Sequence, residues 1–104
     1  MAHVDDLLDQ FFANAESVIQ SLGETFTAHA FIRKVALKKQ QVYVDLLALH
    51  REEKSPFEAT YRTIDSRLQT ITPQYDIHPM EEATLDTDTF GKVTKSTLYR
   101  QITA

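Results

Sequence analysis

Cysteine is absent from this chain of 104 residues, and glycine occurs only twice. Without cysteine there is no disulfide framework, no thiolate nucleophile and no sulfur ligand for a metal, and the bias is toward a reducing compartment. Gly23 and Gly91 stand far apart, which excludes a phosphate-cradling loop of closely spaced glycines. No apolar run approaches the ~20 residues of a membrane-crossing helix. The opening "MAHVDDLLDQFF" carries acids where an export signal needs a positive start. The expectation is a cytoplasmic protein without a membrane partner.

Basic residues are missing from two long blocks. Residues 1–30 hold five acids and no Lys or Arg, and residues 72–91 again hold five acids and no base. Between them, 31–50 hold Arg33, Lys34, Lys38 and Lys39 against Asp45, and 51–71 balance at four and four. Lys92, Lys95 and Arg100 close the chain with no acid beside them. The net charge of −4 runs against a compact nucleic-acid binder, which draws most of its non-specific affinity from neutralising phosphates. The block pattern still allows a basic face on an acidic protein.

What is present is the composition of a globular domain, 42% hydrophobic and 25% charged. A chain this long is expected to form one domain and to bury roughly 60–70% of its unfolded surface. Val4, Leu7, Leu8, Phe11, Ala15, Val18 and Leu22 recur at helical spacing, so the pattern predicts a helix over 4–22, with Asp5 and Asp6 in its first turn and Gly23 at its C′ position. Phe11 and Phe12 are core anchors or, if the partner is another chain, a self-association face. A helical region over 27–50 follows, with Thr27 as N-cap and Phe26 as a staple. The apolar rhythm lapses at "KKQQ", so this region is one helix or two with a joint near 38–41. No Gly or Pro marks a break, and propensity favours continuity.

A third helix is predicted over 56–71. Ser55 and Glu58 form a capping box around Pro56, typically worth about 1 kcal/mol. Phe57, Tyr61, Ile64, Leu68 and Ile71 are its apolar face, and Pro73 closes it. Residues 72–82 read as a loop. The Thr-rich segment 83–103 reads as a hairpin turning near Gly91, with a short helix from Ser96 as the competing reading. Leu98, Arg100 and Ile102 alternate with Tyr99, Gln101 and Thr103, as in a half-buried strand.

Chemical motifs are sparse. "DTDTFG" places Asp86, Asp88 and Gly91 like the start of a calcium loop, but Phe90 and Thr97 occupy ligand positions, so a polar turn is expected. His3, His29, His50 and His78 form no i,i+3 or i,i+4 pair. His29 is expected near the core edge at a helix start and His50 at a helix C-terminus. No GxSxG motif is present. The sequence predicts no catalytic residue, no metal, no cofactor and no small-molecule ligand, hence not an enzyme.

One lead remains. The polar side of 55–71 offers Arg, Ser and Thr, which bond phosphates and base edges. "ATYRTIDSRLQTI", followed by a Thr-rich hairpin with Lys92 and Lys95 near its turn, resembles the recognition helix and wing of winged helix-turn-helix regulators over residues 27–104. The resemblance implies that Arg62, Thr63, Ser66 and Arg67 face the major groove, with Lys92 and Lys95 on the backbone. The connection "HREEKS" departs from it, with two acids and no glycine. In the alternative, Arg62 and Arg67 simply solvate a helix beside Glu58 and Asp65, with Glu58 and Arg62 as an i,i+4 pair.

The expected fold is therefore mainly α with a small C-terminal β-hairpin: a three- to four-helix, winged-helix-like domain. Two functions follow. One is a DNA-binding module. The other is a non-catalytic protein-interaction or structural module, with self-association through helix 4–22 as one form.

Overall fold

The apolar stripe of residues 4–22 predicts one helix, and the chain makes two. The computed structural model describes residues 3–81 and 83–101. It begins with α1 (Val4–Phe12) and α2 (Ala15–Ser21), separated by Asn14 in the left-handed region at φ 69° and ψ 19°. Asn tolerates that conformation better than most residues, and a helix cannot run through it. The stripe survives the break: Leu7, Leu8, Phe11 and Phe12 of α1 and Ala15, Val18 and Ile19 of α2 are all buried. Phe11 and Phe12 are thus core. Phe12 stacks on Phe31 at 5.4 Å between ring centres, and Phe11 meets Tyr43 at 6.1 Å. An apolar face spent on the core is not left for self-association through 4–22.

β1 (Thr25–Thr27) leads into α3 (Ala28–Lys38), and α4 (Gln40–Leu49) follows after a single residue. Thr27 caps α3 as expected, its side chain accepting from the Ala30 amide at 2.9 Å. The joint left open near 38–41 is real and falls on Lys39, at φ −130° and ψ 57°. Its Nζ donates to the carbonyls of Gln10 and Ala13 at 2.5 and 2.6 Å. A cation thus satisfies carbonyls at the end of α1, where the helix dipole favours it. One residue both bends the chain and ties two helical pairs together.

α5 (Pro56–Thr70) starts where the predicted helix 56–71 does and ends one residue earlier, with Pro56 in its first turn and Ile71 as its C-cap. Two expectations about it are corrected. Ser55 makes no side-chain cap bond; it sits at φ −131° and ψ 89°, and Thr60 Oγ1 instead bonds back to the Pro56 carbonyl at 2.8 Å. The buried face is also rotated. Thr60, a threonine of the polar side, and Asp65, expected beside the solvated arginines, are buried, while Phe57 of the expected apolar face is 49% exposed. Asp65 is drawn inward because its carboxylate accepts from the Tyr99 hydroxyl at 2.6 Å and the Thr97 hydroxyl at 2.8 Å.

The remaining strands are β2 (Ile77–Pro79), β3 (Thr84–Thr87), β4 (Val93–Ser96) and β5 (Leu98–Gln101). β5 is the centre of an antiparallel sheet in the order β1-β5-β2, with Tyr99 opposite both Phe26 and Pro79. Phe26 stacks on Tyr99 at 5.5 Å, in the sheet rather than as a helix staple. The mainly helical fold with one C-terminal hairpin is overturned. Among the described residues there are five helices and five strands in two antiparallel sheets, and the strands are spread along the chain. The winged-helix-like architecture falls with it. The segment 72–82, read as a loop, holds β2.

The hairpin around Gly91 does form, as β3 and β4, and the region after Ser96 is a strand, not a helix. Ile102 and Thr103, part of the alternation, lie outside the described residues. "DTDTFG" ends β3 and makes the turn: Asp88 Oδ1 accepts from the amides of Phe90 and Lys92 at 2.8 and 3.0 Å, and Gly91 takes φ 84°. The inner face of this hairpin is polar. Asp86 accepts from Thr27 and Arg33, and Ser96 Oγ accepts from the His29 amide at 2.9 Å. Its outer face carries exposed Leu85 and Val93. The inner face of the hairpin is docked by hydrogen bonds.

Candidate functional site

The Thr27 cap sets His29 in the first turn of α3, facing the inner side of β4. His29 Nε2 lies 2.7 Å from Thr94 Oγ1, and the ring sits 4.7 Å from that of Tyr61 on α5. Burial pushes the imidazole below its ordinary value of 6.5, against the upward pull of Asp88 and Asp86. His29 is therefore neutral at pH 7. No carboxylate bonds its other ring nitrogen among the described residues, so the His29–Thr94 contact is a strut between α3 and β4.

These groups floor a cleft of about 290 Å³ between α3, α5 and the hairpin. Tyr43 forms one wall, its hydroxyl 2.7 Å from Thr89 Oγ1. Burial raises the Tyr43 pKa, opposed by the Thr89 hydrogen bond and helped by Asp88. Phe57 forms another wall and stacks on Phe90 of the hairpin turn at 3.9 Å. Four charged residues line the cleft, Glu58 and Arg62 from α5 and Asp88 and Lys95 from the hairpin, with Lys95 on the hairpin's outer face opposite Leu85.

On the other side of Tyr43 and Thr89 lies a larger groove of about 470 Å³. It is lined mainly by Ala36 and Leu37 of α3, Val44 and Leu47 of α4, and Phe90. Leu37 is 73% exposed, Val44 54% and Phe90 50%. Arg33 is the one charged residue on its edge. Arg33 already bonds Asp86 at 3.3 Å and the Thr87 carbonyl. Burial raises the Asp86 carboxyl, but hydrogen bonds from Thr27, the Thr87 amide and Arg33 outweigh it and hold the group below its ordinary range.

The six residues singled out from sequence divide. Arg62 and Lys95 both line the cleft, Lys95 from the outer face of the hairpin. Thr63 Oγ1 is engaged by His50 Nε2 at 2.8 Å, while His50 Nδ1 bonds the Leu46 carbonyl at 2.8 Å at the C-terminus of α4. Arg67 is turned to α1, bonding Asp9 at 2.8 Å and approaching Asp5 at 3.6 Å. Ser66 is exposed beside Arg62 over a shallow recess, and Lys92 is exposed at the hairpin turn. Glu58 and Arg62 form no ion pair with each other among the described residues.

Sequence reasoning missed Tyr43, Thr89 and Thr94, whose roles come from partners more than 40 positions away in the chain. It also missed Leu37 and Val44, whose exposure is visible only once the joint at Lys39 is fixed. Among the described residues no helix is long and apolar enough to cross a membrane, and no three His, Asp or Glu are grouped to hold a metal ion. Comparison with family models, with curated proteins and with solved structures finds no match to this chain.

Proposed function

We propose that this protein is a non-catalytic interaction module and that the groove between α3, α4 and the hairpin turn receives an amphipathic helical segment of a partner protein. The observation that carries the reading is the run of exposed large apolar side chains along one concavity: Leu37, Val44 and Phe90. Scattered single apolar residues on a surface are ordinary, whereas contiguous ones in a groove mark contact sites. Two helices and a turn bordering an apolar trough offer the geometry that takes side chains at i, i+3 and i+4 of a docked helix.

The test is selection from a displayed random peptide library on the purified chain, followed by anisotropy with the enriched peptides. The reading predicts peptides with apolar residues at helical spacing. Their affinity falls at least roughly tenfold in Leu37→Glu and Val44→Glu, the loss of one good anchor contact. Enriched peptides that bind both variants unchanged, or no enrichment, sink it.

A second reading, nucleic-acid binding, rests on two cationic residues, Arg62 and Lys95, lining one cleft. It predicts duplex binding that falls steeply with salt and is lost in Arg62→Ala with Lys95→Ala. Affinity that does not respond to salt contradicts it.

A further inference from the structure

The cleft differs from the groove in chemistry. The groove has one charged residue on its edge, already bonded to Asp86, whereas the cleft is lined by Arg62 together with two carboxylates, Glu58 and Asp88. None of these three is ion-paired among the described residues. Asp88 spends Oδ1 on the Phe90 and Lys92 amides, which leaves Oδ2 toward other partners. Below the charges, the rings of His29, Tyr61, Phe57 and Tyr43 line a space of about 290 Å³, at the small end of ligand pockets. A polyanion such as a nucleic-acid strand meets two carboxylates there against one guanidinium. A ligand with one charge of each sign meets complementary partners for both.

We propose that this cleft binds a small zwitterion bearing one aromatic ring, of the α-amino-acid class. The ring enters between Phe57 and Tyr61 over His29, where aromatic pairs favour offset or edge-on contact. The carboxylate lies toward Arg62, and a guanidinium is well shaped for a carboxylate. The ammonium lies toward Glu58 and Asp88, with the Tyr faces adding cation–π attraction. His29 stays neutral and adds no charge of its own. This goes beyond the groove reading and stands or falls separately, because Leu37 and Val44 do not line the cleft.

The experiment is an NMR titration of the full nitrogen-labelled chain with four probes: L-phenylalanine, phenylpropionate, phenethylamine and glycine. L-phenylalanine is expected to give saturable shifts at His29, Tyr61 and Thr94. Phenylpropionate and phenethylamine, each missing one charge, bind roughly tenfold more weakly, and glycine, missing the ring, does not saturate. Arg62→Gln weakens L-phenylalanine and phenylpropionate but not phenethylamine. Glu58→Gln weakens L-phenylalanine and phenethylamine but not phenylpropionate. Both side chains are exposed, so both variants are expected to fold. If either does not, the four-probe comparison on the unaltered chain decides alone. No saturable shift at millimolar L-phenylalanine, or equal affinity for all three ring-bearing probes, overturns the proposal. Leu37→Glu leaves the L-phenylalanine affinity unchanged and separates this result from the groove's.

Discussion

The Tyr99 hydroxyl donates to Asp65 Oδ1 at 2.6 Å in the protein's interior. This bond joins the central strand β5 to α5. The same carboxylate accepts from Thr97 and from Gln69, and the Thr97 amide donates to the Tyr61 hydroxyl at 3.0 Å. Burial first, and then the hydrogen bond to Asp65 and its charge, pushes the Tyr99 pKa far upward, so the phenol stays protonated. The pair explains why a polar residue sits on the inner face of α5.

Tyr99→Phe removes one donor from a buried carboxylate. It is expected to cost about 1–3 kcal/mol, the price of leaving a buried acceptor short of a partner. Urea unfolding followed by circular dichroism reads this as a lower midpoint at unchanged slope. An unchanged midpoint contradicts the role given to the bond.

Stability is expected to fall in acid in two stages. His29 has a folded pKa below its ordinary 6.5, so the unfolded chain binds its proton first. The stability it contributes is present above 6.5 and is lost as pH falls toward the folded value. Asp86 has a folded pKa below its ordinary 3.8. Its contribution is present above that value and drains away as pH falls further. Urea midpoints measured across pH check this, and His29→Gln should flatten the upper stage only.

Asn14 holds φ 69° between α1 and α2. Asn14→Gly should be close to neutral, while Asn14→Val should cost on the order of 1–2 kcal/mol, since a β-branched residue is strained there. Thermal unfolding of the two variants decides it. Equal midpoints would show that the helices are joined differently.

Arg67 is 25% exposed, and its partners Asp5 and Asp9 are mostly exposed. Arg67→Ala should therefore cost less than about 1 kcal/mol, and the loss should shrink as salt rises. Urea midpoints at low and high salt measure both. A larger, salt-independent loss would mean that the side chain's stem packs more than its charge pairs.

Local signals were legible in the sequence where one residue suffices. Thr27 as a cap, Gly23 past the end of α2, the hairpin around Gly91 and the start of α5 were all readable in this way. β1 and β2 were not, because three residues carry no period and their pairing is set by β5, more than 15 positions away. The break at Asn14 hides inside a stripe that stays in phase across it. The rotation of α5 depends on Asp65, whose burial is possible only because Tyr99 and Thr97 arrive from the other end of the chain. Of the candidate site, Arg62 and Lys95 were visible as cations. The cleft that both line was not, because its walls come from four separate elements.

The central claim is that the groove, not the polar face of α5, is the interaction surface. The most direct measurement is an NMR titration of the nitrogen-labelled chain with the tightest peptide from the displayed library. The account predicts that shifts concentrate at Ala36, Leu37, Val44, Leu47 and Phe90, and vanish in Val44→Glu. Shifts concentrated instead at Arg62, Ser66 and their neighbours on α5, with Val44→Glu unaffected, would contradict it.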